Sequence, residues 1–216
     1  FQAIKPKGGE MPVVMGAGGS GILLHEAIGH AFEADFNRKN TSIFSDQLNK
    51  KVCNEHINVV DDGTIPFNRG SVNIDDEGVD GQKTYIVREG VLTSYLHDRI
   101  SAKHYGIPST GNGRRESFRQ MPIPRMRATY MEAGNVTEEE IISTVKKGIY
   151  AANFTNGQVQ IGAGDFTFFV KDGYLIENGK LTQPIKDINI IGNGPKALAD
   201  ITMVGNNYKM DNGTWT

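Results

Sequence analysis

Twenty-six of the 216 residues are glycine, about 12% against an ordinary usage of roughly 7%, and they follow no repeat. Glycine at that density punctuates short elements, so the chain is read as strand-rich, with many turns. The length allows one domain or two small ones with an ample core. Apolar residues at 38%, charged residues at 22% and a mean hydropathy of −0.38 describe a globular chain, not a disordered one. No apolar run approaches the ~20 residues that span a bilayer, so no membrane role is expected. Lys and Arg number 23 against 25 Asp and Glu, a net charge of −2, which gives no global pull on nucleic acid. The single cysteine, Cys53, excludes an intrachain disulfide and fits a reducing compartment, the cytoplasm. The chain opens at Phe1 without a charged-then-apolar leader and reads as a fragment or a processed product.

Residues 11–15, MPVVM, read as a short buried strand, followed by the loop GAGGSG and an apolar-periodic helix over residues 22–36. GAGGSG lacks the GK[ST] ending of a phosphate-binding loop, so nucleotide binding is not expected there. A long polar loop over 37–54 precedes a strand in HINVVDD and an acidic stretch, VNIDDEGVDG. KTYIVREGVLTSYLH predicts a hairpin turning at Glu89-Gly90, and a short helix follows over 98–105. Residues 109–127 read as loop with little regular structure. Thr137 and Glu140 form a capping-box pattern that predicts a helix over 138–147, stopped by Gly148. GIYAANF, QVQIG, FTFFVK and YLIENGKL predict an antiparallel meander turning at Asn-Gly, Asp-Gly and Asn-Gly. A last helix is expected over 195–204, with Pro195 in its first turn.

The chemistry-bearing motif is His25-Glu26-Ala27-Ile28-Gly29-His30, an HExxxH in the first helix. In HExxH the histidines are four apart and share a helix face, so both reach one metal while Glu acts as general base. Five residues at about 100° each would place the second histidine roughly 140° from the first, so a straight α-helix cannot aim both at one ion. The spacing therefore predicts a π-type distortion at residues 28–30, with Gly29 allowing the irregular backbone. Metal-assisted hydrolysis is the chemistry such a group would perform, with Glu26 taking the proton of a metal-bound water.

HEAIGHAFEADFNRKNTSIFSD resembles the metallopeptidase signature region of the TldD/PmbA family, once described as modulators of DNA gyrase. The similarity continues in family order through DDGTIPFNRGSVNIDDEG, STGNGRR, PRMRATYMEAG, GIYAANFTNGQVQIGAGDF, GYLIENGKLTQPIKD and ITMVGNN. Retention of the histidine motif resembles the TldD-like branch. The resemblance implies a zinc-dependent peptidase acting on unfolded or short peptides, with His25 and His30 as ligands and Glu26 as the catalytic carboxylate. It also implies a dimer, either a homodimer or a heterodimer with a family partner. In the family a cysteine soon after the ITMVGNN region supplies a third ligand, whereas this chain ends at Trp215-Thr216. Residues 1–216 are accordingly expected to be the C-terminal-type catalytic domain, without the family's N-terminal domain or final segment.

Cys53 is read as structural, a small buried hydrophobe. Glu33 and Asp35 lie close enough to His30 to hydrogen-bond it from behind or to ligate weakly, while His56, His97 and His104 match no ligand spacing. Arg114, Arg115, Arg119, Arg125 and Arg127 crowd a segment with one acid, Glu116. They are read as structural or substrate-binding, gripping the IDDEGVD acids or a peptide C-terminus, ahead of a nucleic-acid role. An inactive scaffold or assembly subunit is the further alternative. The expected fold is α+β: a twisted antiparallel, partly barrel-like sheet system with a metal-site helix near the N-terminus and two further helices.

Overall fold

The computed structural model describes residues 3–160 and 162–210. In chain order these form β1 (Val13–Met15), helical turns over Leu23–Gly29 and His30–Phe32, α1 (Ala34–Arg38), β2 (Val59–Asp62), β3 (Lys83–Arg88), β4 (Val91–Leu92) and α2 (Arg99–Tyr105). There follow β5 (Gly113–Arg114), β6 (Ile123–Pro124), β7 (Thr129–Met131), α3 (Glu138–Thr144), β8 (Lys147–Gln160), β9 (Asp165–Glu177), β10 (Lys180–Ile185), β11 (Asn189–Asn193) and α4 (Gly194–Ala199). The α+β class holds. One sheet runs β1-β8-β9-β10 with β11 also paired to β9, a second runs β4-β3-β2-β7, and β5 and β6 pair as a small ladder. None of these sheets closes into a barrel, and β1 joins β8 in parallel, unlike the other paired strands.

The expected first helix does not run unbroken. Glu33 is extended, at φ −69° and ψ 127°, because the chain there pairs with Leu96: Ala34 N–H donates to the Leu96 carbonyl and Leu96 N–H to the Phe32 carbonyl. That break splits off α1, so more short helices are present than the sequence pattern predicts. The capping box of α3 is present in full, with the Thr137 side chain accepting from Glu140 N–H and Glu140 from Thr137 N–H. α3 nevertheless ends at Thr144, because residue 147 already belongs to β8. α4 is likewise shorter than expected, whereas the α2 helix starts on an Asp98 cap as its sequence indicates.

The β3–β4 hairpin turns where expected. Glu89 and Gly90 have φ of 49° and 75°, the left-handed pair that a two-residue type I′ turn requires. The meander differs. Only Asn178-Gly179 is a turn, while Asn156-Gly157 and Asp172-Gly173 lie inside the long strands β8 and β9, where the register shifts. A Cβ on Gly157 would stand 2.0 Å from the Phe168 ring, so this glycine makes room for a neighbour and does not reverse the chain.

The principal core lies where the turns after β1 meet both large sheets. Leu24, Ala27, Ile28, Ala31 and Phe32 pack among Val59, Ile86, Leu96, Phe166, Phe168 and Leu198. Burying side chains such as Ile28 and Phe32 contributes roughly 1.5–3 kcal/mol each. The core therefore grips one face of the helical turn and leaves the opposite face to the motif histidines.

His97 sits in this region beside the Tyr95 and Tyr105 rings, buried, with Nδ1 unpartnered among the described residues. Burial drives its pKa from 6.5 down to about 4, and Asp98 pulls weakly the other way. Below pH 6.5 the unfolded chain takes up a proton that folded His97 refuses until about pH 4, so its contribution to stability falls as the pH drops through that window. The limiting slope is about 1.4 kcal/mol per pH unit. His97→Gln should flatten the acid side of a plot of urea-unfolding free energy against pH. Parallel wild-type and variant curves would show that His97 carries no such linkage.

Candidate metal centre

His30 N–H donates to the His25 carbonyl, the five-residue bond of a π turn. That bond stacks residues five apart on one face. The two imidazoles meet edge to face, with centroids 4.9 Å apart and an interplanar angle of 82°. One ligand atom from each of His25, Glu26 and His30 falls within 4.8 Å of the others. The distortion expected from the spacing is present and is longer than expected, spanning Leu23–Gly29.

Its cause is also different. Gly29 has φ −61° and ψ −49°, ordinary right-handed helix that any residue adopts. Its missing side chain matters because a Cβ would stand 2.3 Å from Met126 Sδ. Apolar packing thus holds the buried face of the turn while the π bond keeps His25 and His30 together on the other. The side chains of His25, Glu26 and His30 are 24%, 25% and 22% exposed, enough for a ligand to reach them.

Burial, then the charges of His30 and Arg114, hold the His25 pKa down at about 4, so at neutral pH its lone pair is not competing with a proton. His30 Nδ1 lies 3.2 Å from Glu33 Oε2. Glu33 is fully buried, and Arg125 Nη1 donates to the same oxygen at 3.1 Å. Burial raises the Glu33 pKa, opposed by the His30 hydrogen bond and the charges of His30 and Arg125. Asp35 does not reach the histidines and instead stands 3.7 Å from Arg125. Of the two acids singled out behind His30, only Glu33 contacts it.

The arginine-rich segment is more ordered than its composition suggests, because β5 and β6 pair within it. Arg125 turns toward Glu33, and Arg127 donates to the Gly111 and Gly113 carbonyls. The acidic loop is met mainly by backbone: Gly113 N–H donates to Asp75 and Arg115 N–H to Asp76. Arg119 lies over the exposed Phe118 ring, and the exposed side chain of Arg114 has no hydrogen-bond acceptor or ion-pair partner among the described residues while its charge is felt at His25. The contact between Arg125 and Glu33 is one that spacing could not reveal, since 92 positions separate the two residues.

Cys53 is buried outside this cluster, and burial pushes its thiol up to about 11, so it remains a thiol at neutral pH. His56, His97 and His104 also lie outside it. Two imidazoles and a carboxylate are donors that zinc accepts, and the free His25 lone pair and the hydrogen-bonded Nδ1 of His30 suit such an ion.

The chain is similar to known proteins over nearly its whole length. Residues 8–216 match the family model of the PmbA/TldA metallopeptidase C-terminal domain. A Buchnera aphidicola "Metalloprotease TldD homolog" is 51% identical over 205 residues, covering 95% of this chain and 42% of that protein. A Saccharolobus solfataricus "Zinc metalloprotease TldD homolog" is 35% identical, covering 96% of this chain and 46% of its own length. The chain thus spans less than half of these relatives. Among solved structures, a Thermotoga maritima protein described as a modulator of DNA gyrase superposes with a TM-score of 0.87 at 26% identity, over 97% of this chain and 47% of that one. TldE from Thermococcus kodakarensis shares the fold, with a TM-score of 0.83 at 24% identity over 95% of this chain and 46% of its own.

Proposed function

Because the chain belongs to the PmbA/TldD metallopeptidase family, we propose that it carries a zinc-dependent peptidase centre that cuts unfolded or short peptides. His25 and His30 hold the metal in this reading, and Glu26 is the catalytic carboxylate. The observation that carries it is the π turn, which gathers an HExxxH into one group of donors within 4.8 Å. When bound, zinc supplies a Lewis acid that polarises the scissile carbonyl and makes water acidic enough to yield its proton near neutral pH. Glu26 takes that proton and passes it to the leaving amine. Its Oε1 stands 4.0 Å from His25 Nε2, beyond hydrogen-bond length, so that oxygen is not tied up by the adjacent ligand.

Main-chain recognition suits substrates without defined side chains. β1 covers β8 only over residues 149–151, and beyond Ala151 the described strand pairs on its β9 side alone. The glycine loop after β1 packs against that edge at Ala152 and Asn153, and the stretch beyond it can take a peptide as an added strand. Equal cleavage of folded proteins together with sharp side-chain selectivity would contradict this mode. Arg125 and Arg127 are committed within the protein, which favours structural and substrate-binding arginines over a nucleic-acid surface. Exposed Arg114, whose charge is felt at His25, is then a cation available to a substrate carboxylate. We assign the working unit as a cytoplasmic dimer, with a second copy or a family partner. No helix among the described residues is long and apolar enough to cross a membrane.

The reading is tested by following hydrolysis of an unstructured peptide by the full-length protein before and after chelation. Activity should vanish with chelator and return with zinc. Chelator-insensitive hydrolysis would contradict it.

A further inference from the structure

We propose that Glu33 and Arg125 are positioning residues of the metal centre: Arg125, delivered by the β5–β6 hairpin, fixes the Glu33 carboxylate, and Glu33 fixes the ring and tautomer of His30. The proposal rests on the metallopeptidase reading only for the identity of His30 as a ligand.

Both partners are anchored before they meet. Glu33 sits at the break after the helical turns, where the flanking Phe32 and Ala34 are hydrogen-bonded to Leu96. Its carboxylate therefore leaves a backbone that is held on both sides. Arg125 is held by its own N–H to the Asn112 carbonyl at 2.9 Å and by Nη1 to the Pro124 carbonyl at 2.7 Å. Asn112 in turn donates to buried Asp61 of β2 at 2.8 Å and to the Arg125 carbonyl at 2.9 Å. A continuous hydrogen-bonded path thus runs from β2 through the hairpin to the imidazole, Asp61 to Asn112 to Arg125 to Glu33 to His30.

The chemistry of the path follows from one oxygen. Glu33 Oε2 faces both His30 Nδ1 and Arg125 Nη1, while Oε1 has no partner among the described residues. A neutral imidazole has one N–H, and a carboxylate facing Nδ1 selects the tautomer with the proton there. Nε2 then keeps the lone pair that a metal needs. A fully buried carboxylate facing only an imidazole would be poorly compensated, and the Arg125 guanidinium supplies the opposite charge. Removing Arg125 would therefore release Glu33, and with it the orientation of His30, without touching a ligand.

The test uses the full-length protein with isotope-labelled histidine. In the metal-free state, nitrogen–proton correlation spectra should show His30 as the Nδ1–H tautomer, and Glu33→Ala or Arg125→Ala should convert it to a mixture. In parallel, chelator competition should show zinc held about 10- to 100-fold more weakly by each variant, with Arg125→Lys recovering part of the loss. Circular dichroism and urea midpoints identify any variant that fails to fold. If Glu33→Ala is one, the isosteric Glu33→Gln should still weaken zinc measurably. Unchanged tautomer and zinc affinity in folded variants would overturn the proposal. An Nδ1–H tautomer that depends on Glu33 in a wild-type protein that binds no zinc would uphold the pair while defeating the metallopeptidase reading.

Discussion

Glu26→Gln should retain zinc and lower the turnover of an unstructured peptide by about 10²–10⁴-fold, the range that a positioned general base contributes. Glutamine preserves the shape of the side chain but cannot accept the proton. The neighbouring histidines are unaffected by the change, because the π turn is set by the His30 N–H bond to the His25 carbonyl and by packing of Leu24, Ala27 and Ile28. The loss should accordingly fall in kcat, with metal content unchanged by elemental analysis. Wild-type turnover in this variant would remove Glu26 from the proton transfer. Loss of metal together with activity would make it a ligand.

Gly194→Ala should be strongly destabilising and should disturb the metal centre. A Cβ there would stand 2.0 Å from the Ala27 carbonyl oxygen, and that oxygen belongs to the backbone of the π turn between the two histidines. No rotamer change relieves a clash between one backbone and another. Gly194 is tied on its other side by its N–H to the Gly164 carbonyl at 2.7 Å, so α4 cannot simply step back. Overpacking of this kind costs about 1–3 kcal/mol or more. A fall in the urea midpoint by that amount is expected, together with weaker zinc binding because Ala27 moves. Wild-type stability and zinc affinity would show that α4 does not brace the turn. Gly29→Ala is a milder contrast, since its Cβ would meet chiefly the flexible end of Met126 and would stand 3.0 Å from the Leu24 carbonyl oxygen.

The motif and its distortion were legible in the chain because they are local. Five-residue spacing between His25 and His30 conflicts with an α-helix, and a π turn resolves the conflict within the same few residues. The caps of α2 and α3 and the Glu89-Gly90 hairpin were legible for the same reason. Elements decided by distant contacts were not. Gly157 and Gly173 look like turn residues beside Asn and Asp, but each lies in a long strand where Phe168 or Tyr150 crowds the position. The break at Glu33 depends on Leu96, and the role of Arg125 depends on a hairpin that composition presents as an irregular loop. Gly29 serves the motif through the space it leaves for Met126 and not through its φ, a distant contact that local spacing does not reveal.

The central claim is that the π turn makes His25 and His30 ligands of one zinc ion. Zinc per chain, measured by elemental mass spectrometry on the full-length protein beside His25→Ala and His30→Ala, tests it most directly. About one zinc per chain in the wild type, lost in both variants, is the result expected of a single mononuclear site. Zinc retained by either variant, or absent from the wild type after growth and purification with zinc, would contradict it.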